Sequence, residues 1–276
     1  MRLLIALGLA TAACSYEAPT ASGVTDGPPA DGPLPDSVDA PLLDSRPVLE
    51  CGTSCTFAGG TCVSGTCTFD CNSTNECNAG VTCPPDVPCA VKCTGLDSCQ
   101  GNVDCTAASS CTIACTGGQS CSGRVDCGGS ACTVTCGQDS CDMAVKCDAT
   151  EACTITCMTG QSCTGPVSAG AAVSTITCGQ DSCDAAIACT AADLCTLNCA
   201  GQQACGEPIT CGPGKCNIDC GTGSCDKLVD CSSACECDVD CSASSSCAQG
   251  STCPGTPACD TGNGCTSGPG ACQSCP

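Results

Sequence analysis

Cys132-Thr133-Val134-Thr135-Cys136, Cys153-Thr154-Ile155-Thr156-Cys157 and Ser174-Thr175-Ile176-Thr177-Cys178 are one five-residue phrase returning every 21 residues. Alternation at period two sets both outer residues and the central apolar one on one face and the threonines on the other, the pattern of a short strand. Outward from this stretch, the first cysteine of each unit falls at Cys67, Cys89, Cys111, Cys132, Cys153, Cys195, Cys216 and Cys237, a period of 21 or 22 residues, with Ser174 filling the one gap. A fixed period of that length marks a stacked repeat array.

A second interval is equally constant. It reads Cys-x5-Cys, with an apolar residue two places before the closing cysteine: Val81, Val103, Val125, Val145, Val167, Ile187, Ile209 and Val229, broken only by Ser251. This predicts a second strand per unit. The spacers vary between four and five residues, as in Thr116-Gly117-Gly118-Gln119-Ser120 and Gly137-Gln138-Asp139-Ser140. Such residues supply positive φ and side-chain caps for tight corners. The expected fold is all-β and disulfide-rich, a β-solenoid of about nine coils with a cysteine-lined core. Rungs ~4.8 Å apart make it roughly 43 Å long. The array runs over residues 67–258, after an N-terminal cap at 51–66 that reads as a shortened unit and before an irregular C-terminal cap at 259–276.

Composition agrees. The chain has 276 residues, 43 cysteines, no His, no Trp, two Phe and one Tyr, so an ordinary aliphatic and aromatic core is out of reach. Cysteine this dense marks a disulfide scaffold made in an oxidising compartment.

The gap at Ser174 predicts the pairing. With Val167 in its place, the cysteine expected at position 169 is Ala169, so two cysteines vanish together on either side of one corner. Partners lost together imply Cys127–Cys132, Cys147–Cys153, Cys189–Cys195 and Cys211–Cys216 across that corner. The other corner is then closed by Cys93–Cys99, Cys115–Cys121, Cys136–Cys141, Cys157–Cys163, Cys178–Cys183, Cys199–Cys205 and Cys220–Cys225. Bonds between neighbouring coils would instead strand Cys153 and Cys189. The pairing of Cys51, Cys55, Cys62, Cys67, Cys235, Cys259, Cys265, Cys272 and Cys275 stays open.

Residues 1–13 carry Arg2 and an apolar run from Leu3 to Ala13, a secretion signal too short to span a bilayer. Thr11-Ala12-Ala13-Cys14 resembles the lipobox of bacterial lipoproteins, with Thr11 where that family prefers Leu; the resemblance implies a lipid on Cys14. Ser15 after it is similar to outer-membrane sorting signals. Removing Cys14 leaves an even 42 cysteines. Ordinary cleavage after Ala12, giving a secreted protein, is the alternative. Residues 15–50 hold seven prolines and seven acids against Arg46, a composition that forbids a packed core and predicts a disordered tether.

The net charge is −21, with 21 acids against five bases in residues 51–276. Phosphate binding needs Lys and Arg, so nucleic acid is not an expected partner. Without His there is no Ser triad or imidazole base, and an enzyme is not expected. No cofactor is expected either. Calcium has candidates in Asp139 and Asp142, Asp181 and Asp184, and the Asp104, Asp126 and Asp230 series, without a calcium-solenoid nonapeptide. Thiolate metal binding has Cys235-Glu236-Cys237 and Cys272-x2-Cys275, the latter also at redox-motif spacing, against the oxidation of exported thiols. The rows Thr133/Thr135, Thr154/Thr156 and Thr175/Thr177 look like the flat arrays of disulfide-stapled ice-binding solenoids, though Thr is also a good strand residue.

Signal, Cys14, acidic tether and Cys-Thr-Ile-Thr-Cys array together resemble the uncharacterised cysteine-rich lipoproteins of myxobacteria, a resemblance that brings no activity with it. The expectation is a structural or adhesive module of the bacterial envelope, held to the outer membrane or cell surface by its N-terminal lipid and facing an unknown envelope or extracellular partner. The alternative is an ion- or ice-binding surface, and after it a metal-thiolate protein.

Overall fold

The computed structural model describes residues 51–199, 201–241 and 245–252. The signal, Cys14, the tether and residues 253–276, with Cys259, Cys265, Cys272 and Cys275, lie outside them. No helix among the described residues is long and apolar enough to cross a membrane.

The chain winds into a β-solenoid in which each coil contributes one strand to each of two sheets. The first sheet takes the five-residue phrases: Thr66–Cys71, Cys89–Cys93, Cys111–Cys115, Ala131–Cys136, Ala152–Cys157, Val173–Cys178, Leu194–Cys199, Lys215–Cys220 and Glu236–Asp240. The second takes the shorter strands Val81–Thr82, Val103–Cys105, Val125–Cys127, Val145–Cys147, Val167–Ala169, Ile187–Cys189, Ile209–Cys211, Val229–Asp230 and Ser251–Thr252. Pairing between successive coils is parallel and in register, so Thr154 faces Thr133 and Thr175, and Val145 faces Val125 and Val167. Like residues therefore stack in files along the axis.

The core is two such files with sulfur between them. Phe69, Val91, Ile113, Val134, Ile155, Ile176, Leu197, Ile218 and Val239 are the buried centres of the longer strands. They look across at Val81, Val103, Val125, Val145, Val167, Ile187, Ile209 and Val229, also buried. One apolar side chain per strand cannot define a coil by itself. The half-cystines at the two ends of each coil complete its interior, and nearly all are under 10% exposed.

Each coil turns at two corners. Corner one follows the longer strand and is closed by Cys71–Cys77, Cys93–Cys99, Cys115–Cys121, Cys136–Cys141, Cys157–Cys163, Cys178–Cys183, Cys199–Cys205, Cys220–Cys225 and Cys241–Cys247. Corner two follows the shorter strand and is closed by Cys83–Cys89, Cys105–Cys111, Cys127–Cys132, Cys147–Cys153, Cys189–Cys195, Cys211–Cys216 and Cys231–Cys237. Ala169 and Ser174 stand where the eighth bond of this corner would be, and both are fully buried. Every corner disulfide joins residues five or six apart, so none of them ties one coil to the next. Backbone ladders and core stacking carry that task.

The N-terminal cap differs from the shortened coil its spacing suggests. Cys51–Phe57 is a helix, and Thr61–Val63 pairs antiparallel with Thr66–Cys71. Cys51–Cys62 and Cys55–Cys67 fasten helix and hairpin to each other and to the first coil. The antiparallel strand covers the edge of the first sheet, which would otherwise offer unpaired backbone groups to another chain.

Candidate functional site

Corner one carries an unusual backbone. In all nine coils the second cysteine adopts a left-handed conformation, from φ 51° at Cys121 and Cys247 to φ 60° at Cys141. The residue two places earlier does the same: Asn75, Asp97, Gln119, Asp139, Gln161, Asp181, Gln203, Gly223 and Ser245. Left-handed φ costs a non-glycine residue roughly 1–2 kcal/mol, so the corner holds its shape against a steady backbone preference. Between the two lies a serine in most coils. Ser98, Ser140, Ser182 and Ser224 donate their hydroxyls to the carbonyls of Gly95, Gly137, Gly179 and Gly221 at 2.7–2.8 Å. Ser120 and Ser162 are equally buried, with hydroxyls that find no partner.

This backbone presents two files of polar side chains. One runs Asp97, Gln119, Asp139, Gln161, Asp181, Gln203; the other runs Gln100, Ser122, Asp142, Thr164, Asp184 and Asp226, with a gap at Gly206. Between them lie two hollows of 420 Å³ and 560 Å³ that share Gln161 and so form one trough along the axis. In the first file carboxylate and amide alternate, which keeps its acids two coils apart, about 9.6 Å at the usual rung spacing. Stacked directly, like charges would repel. Asp139 and Asp142 belong to one coil and face each other across the trough. Burial first, then the charge of Asp139, holds the Asp142 carboxyl above its ordinary range.

The Asp104, Asp126 and Asp230 series does not form a continuous carboxylate ladder. Asp126 stacks on Lys146 and is held by Arg124 at 2.6 Å. Asp104 accepts from the Thr106 N–H and hydroxyl at 3.0 and 2.7 Å. Asp230 accepts from the Thr252 hydroxyl at 2.6 Å and the Ser232 N–H at 3.0 Å, bonds that hold its carboxyl below the ordinary range. Of the five bases, Lys92, Arg124, Lys146 and Lys215 are engaged with Asp70, Asp126, Asp148 and Glu236.

The six threonines come together as two columns on adjacent strands, Thr133–Thr154–Thr175 and Thr135–Thr156–Thr177, all half-buried. Cys237 is bonded to Cys231, and Cys235 is itself half of a disulfide, so Cys235-Glu236-Cys237 offers no thiolate pair. Close sulfur groups such as Cys83, Cys89, Cys105 and Cys111 are likewise composed of disulfides. The trough itself was not read from sequence. Its signal is the dipeptide Ser-Cys, preceded by Asp or Gln, recurring at Asp97, Gln119, Asp139, Gln161 and Asp181.

Comparison with known proteins supplies no relative: no family model, no curated protein and no solved structure matches the chain.

Proposed function

We propose that the protein is a rigid structural or adhesive module of the bacterial envelope, anchored through a lipid on Cys14. The observation that carries this reading is the continuity of the array. Two in-register parallel ladders stack coil upon coil past a shared core, and the polar hollows of corner one line up as a shallow trough along the axis. Such an object suits spacing and display, and its long repetitive face suits contact with an extended partner. The test is fractionation of cells producing the full chain and its Cys14→Ala form. The wild type should sediment with outer membranes and be labelled on intact cells by an impermeant reagent, while the variant is released. A wild type recovered free of membranes would sink the anchored reading.

A second reading is a cation-binding surface, favoured by the raised Asp142 carboxyl facing Asp139. It requires calcium to raise the melting temperature more than magnesium does, and Asp139→Asn with Asp142→Asn to abolish the difference.

A further inference from the structure

The file of strand centres is covered at both ends, but only one cover lies among the described residues. It starts at Phe69, which is 7% exposed because the N-terminal cap packs on it; a Cβ at Gly60 would stand 3.1 Å from its ring. It stops at Val239 in Glu236–Asp240, and no described strand of the first sheet lies beyond. Val239 is nevertheless only 2% exposed, and Cys237 in the same strand is 0% exposed. The last apolar side chain of an open stack would keep one flank in water, which is why repeat arrays need terminal caps.

Sulfur pairing points the same way. Every described cysteine except Cys235 has its partner among the described residues. Cys235 is bonded as well, so its partner lies outside them. It also stands outside the repeat frame, within the ring closed by Cys231–Cys237. The coil before has Gly214 at this place, and its carbonyl accepts the Cys235 N–H at 3.2 Å. Cys231, Ala234 and Cys237 of the same ring are buried, whereas Cys235 is half-buried.

We propose that the open end of the array at Glu236–Asp240 is the docking site of the chain's own residues 253–276, tied there by a disulfide from Cys235. The cysteines outside the described residues are Cys14, Cys253, Cys259, Cys265, Cys272 and Cys275. Two arguments choose the last five. Closing a ring costs more entropy the longer the chain between its ends, and Cys14 lies most of the chain away from Cys235. The segment that holds the other five follows directly on Ser251–Thr252, at the end where Val239 is covered. With Cys235 they make an even set of half-cystines. The tie does for this end what Cys55–Cys67 does for the other, fastening a cap to a coil. The cap also occupies the edge of the first sheet, which would otherwise be open to a strand of a second copy. Corner disulfides close loops within a coil, so Cys235 is the one described half-cystine beyond Cys67 that joins the array to a segment outside the described coils.

Digestion without reduction tests the tie. The full-length oxidised protein is denatured with maleimide present, then cut by trypsin and by a protease that cleaves before aspartate. Residues 228–276 hold no Lys or Arg, and Asp230, Asp238, Asp240 and Asp260 divide them into peptides that include 230–237, 240–259 and 260–276. Cys231–Cys237 closes inside the first and Cys241–Cys247 inside the second. Peptide 230–237 is expected joined through Cys235 to 240–259 or to 260–276. A Cys235 that carries maleimide, or that is joined to the peptide holding Cys14 or to a second chain, overturns the proposal. Cys235→Ser then separates a cap from an incidental bond. This residue is half-buried and outside the frame, so the variant keeps every corner disulfide. It should lose residues 253–276 to proteinase K roughly tenfold faster than the wild type, because cleavage follows the population of the released segment. Residues 71–225 should resist equally in both proteins. Equal rates of loss of the segment, or digestion of the coils along with it, overturn the cap.

Discussion

In the central coil that starts at Cys153, corner one leaves the strand Ala152–Cys157 and ends at Cys163, which lies in no strand and holds φ at 53°. Corner two of the same coil leaves Val167–Ala169 and enters Val173–Cys178, so both of its bridge positions lie in hydrogen-bonded ladders. Corner one is closed by a disulfide in every coil. Corner two does without one at Ala169 and Ser174, and the strand register continues across the gap. A bridge between two strands already fixed by their neighbours is partly redundant. A bridge that holds a cysteine in a left-handed turn is not. The comparison separates two roles for one chemical bond: restricting the unfolded chain at both corners, and enforcing a disfavoured backbone in every coil at corner one, whereas corner two has a left-handed non-glycine residue only at Asp86 among the described residues.

The sharpest way to break this contrast is to delete one bridge of each kind. Cys157→Ala with Cys163→Ala should lower unfolding stability by about 3 kcal/mol, and Cys147→Ala with Cys153→Ala by about 1 kcal/mol, within the usual span for disulfides. Guanidinium titration of both variants checks it, and equal losses would dissolve the distinction. Next in size is the restored bridge. Ala169→Cys with Ser174→Cys should close without free thiol and add about 2 kcal/mol, the loop-closure value for so short a ring.

Backbone strain gives a smaller effect of opposite sign at the two corners. Gly223 already occupies one left-handed site. Gln161→Gly should therefore stabilise by about 1 kcal/mol through release of that strain. Thr150→Gly, in a corner with ordinary backbone, should destabilise by about 0.5–1 kcal/mol. Thermal melts of the pair decide it.

The smallest effect is electrostatic. Asp142 holds its proton to higher pH in the folded chain than in the unfolded one. The native state therefore binds more protons just above the ordinary carboxylate range, and this group's contribution to stability falls as pH rises there. Asp142→Asn should remove that decline. Asp230 is shifted the other way. Its contribution is present above its unfolded pKa and is lost as pH falls through the folded one, so Asp230→Asn should flatten the acid side instead. Melting temperature against pH for both variants tests the opposed signs.

The strands were legible because period two and a fixed cysteine interval constrain every coil alike. Val134, Ile155 and Ile176 fall at the strand centres that the phrase predicts. The absence of two cysteines at positions 169 and 174 also carried spatial information, since paired groups are lost in pairs. The helix at Cys51–Phe57 was not legible. Its sequence Cys-Gly-Thr-Ser-Cys-Thr-Phe carries only one pair at helical spacing, Cys51 and Cys55, too short a signal to set against a shortened coil, and two cap disulfides together with packing on the first coil decide its conformation. The trough was hidden for another reason. Gln119 or Gln161 reads as a generic loop residue, and only the left-handed turn arranges these side chains in files.

That no corner bond crosses from coil to coil has a mechanical consequence. Pulled from its ends, the array between Cys71 and Cys225 would come apart one coil at a time, each coil held to the next by ladders and not by its corner disulfides. A freed coil of 21 residues would reach about 75 Å if fully extended. Its two disulfides keep the corner segments folded back on themselves, which leaves about 45–50 Å of extension. The molecule would therefore lengthen under load in short, equal steps, with the coil at Ala169 and Ser174 giving a longer one.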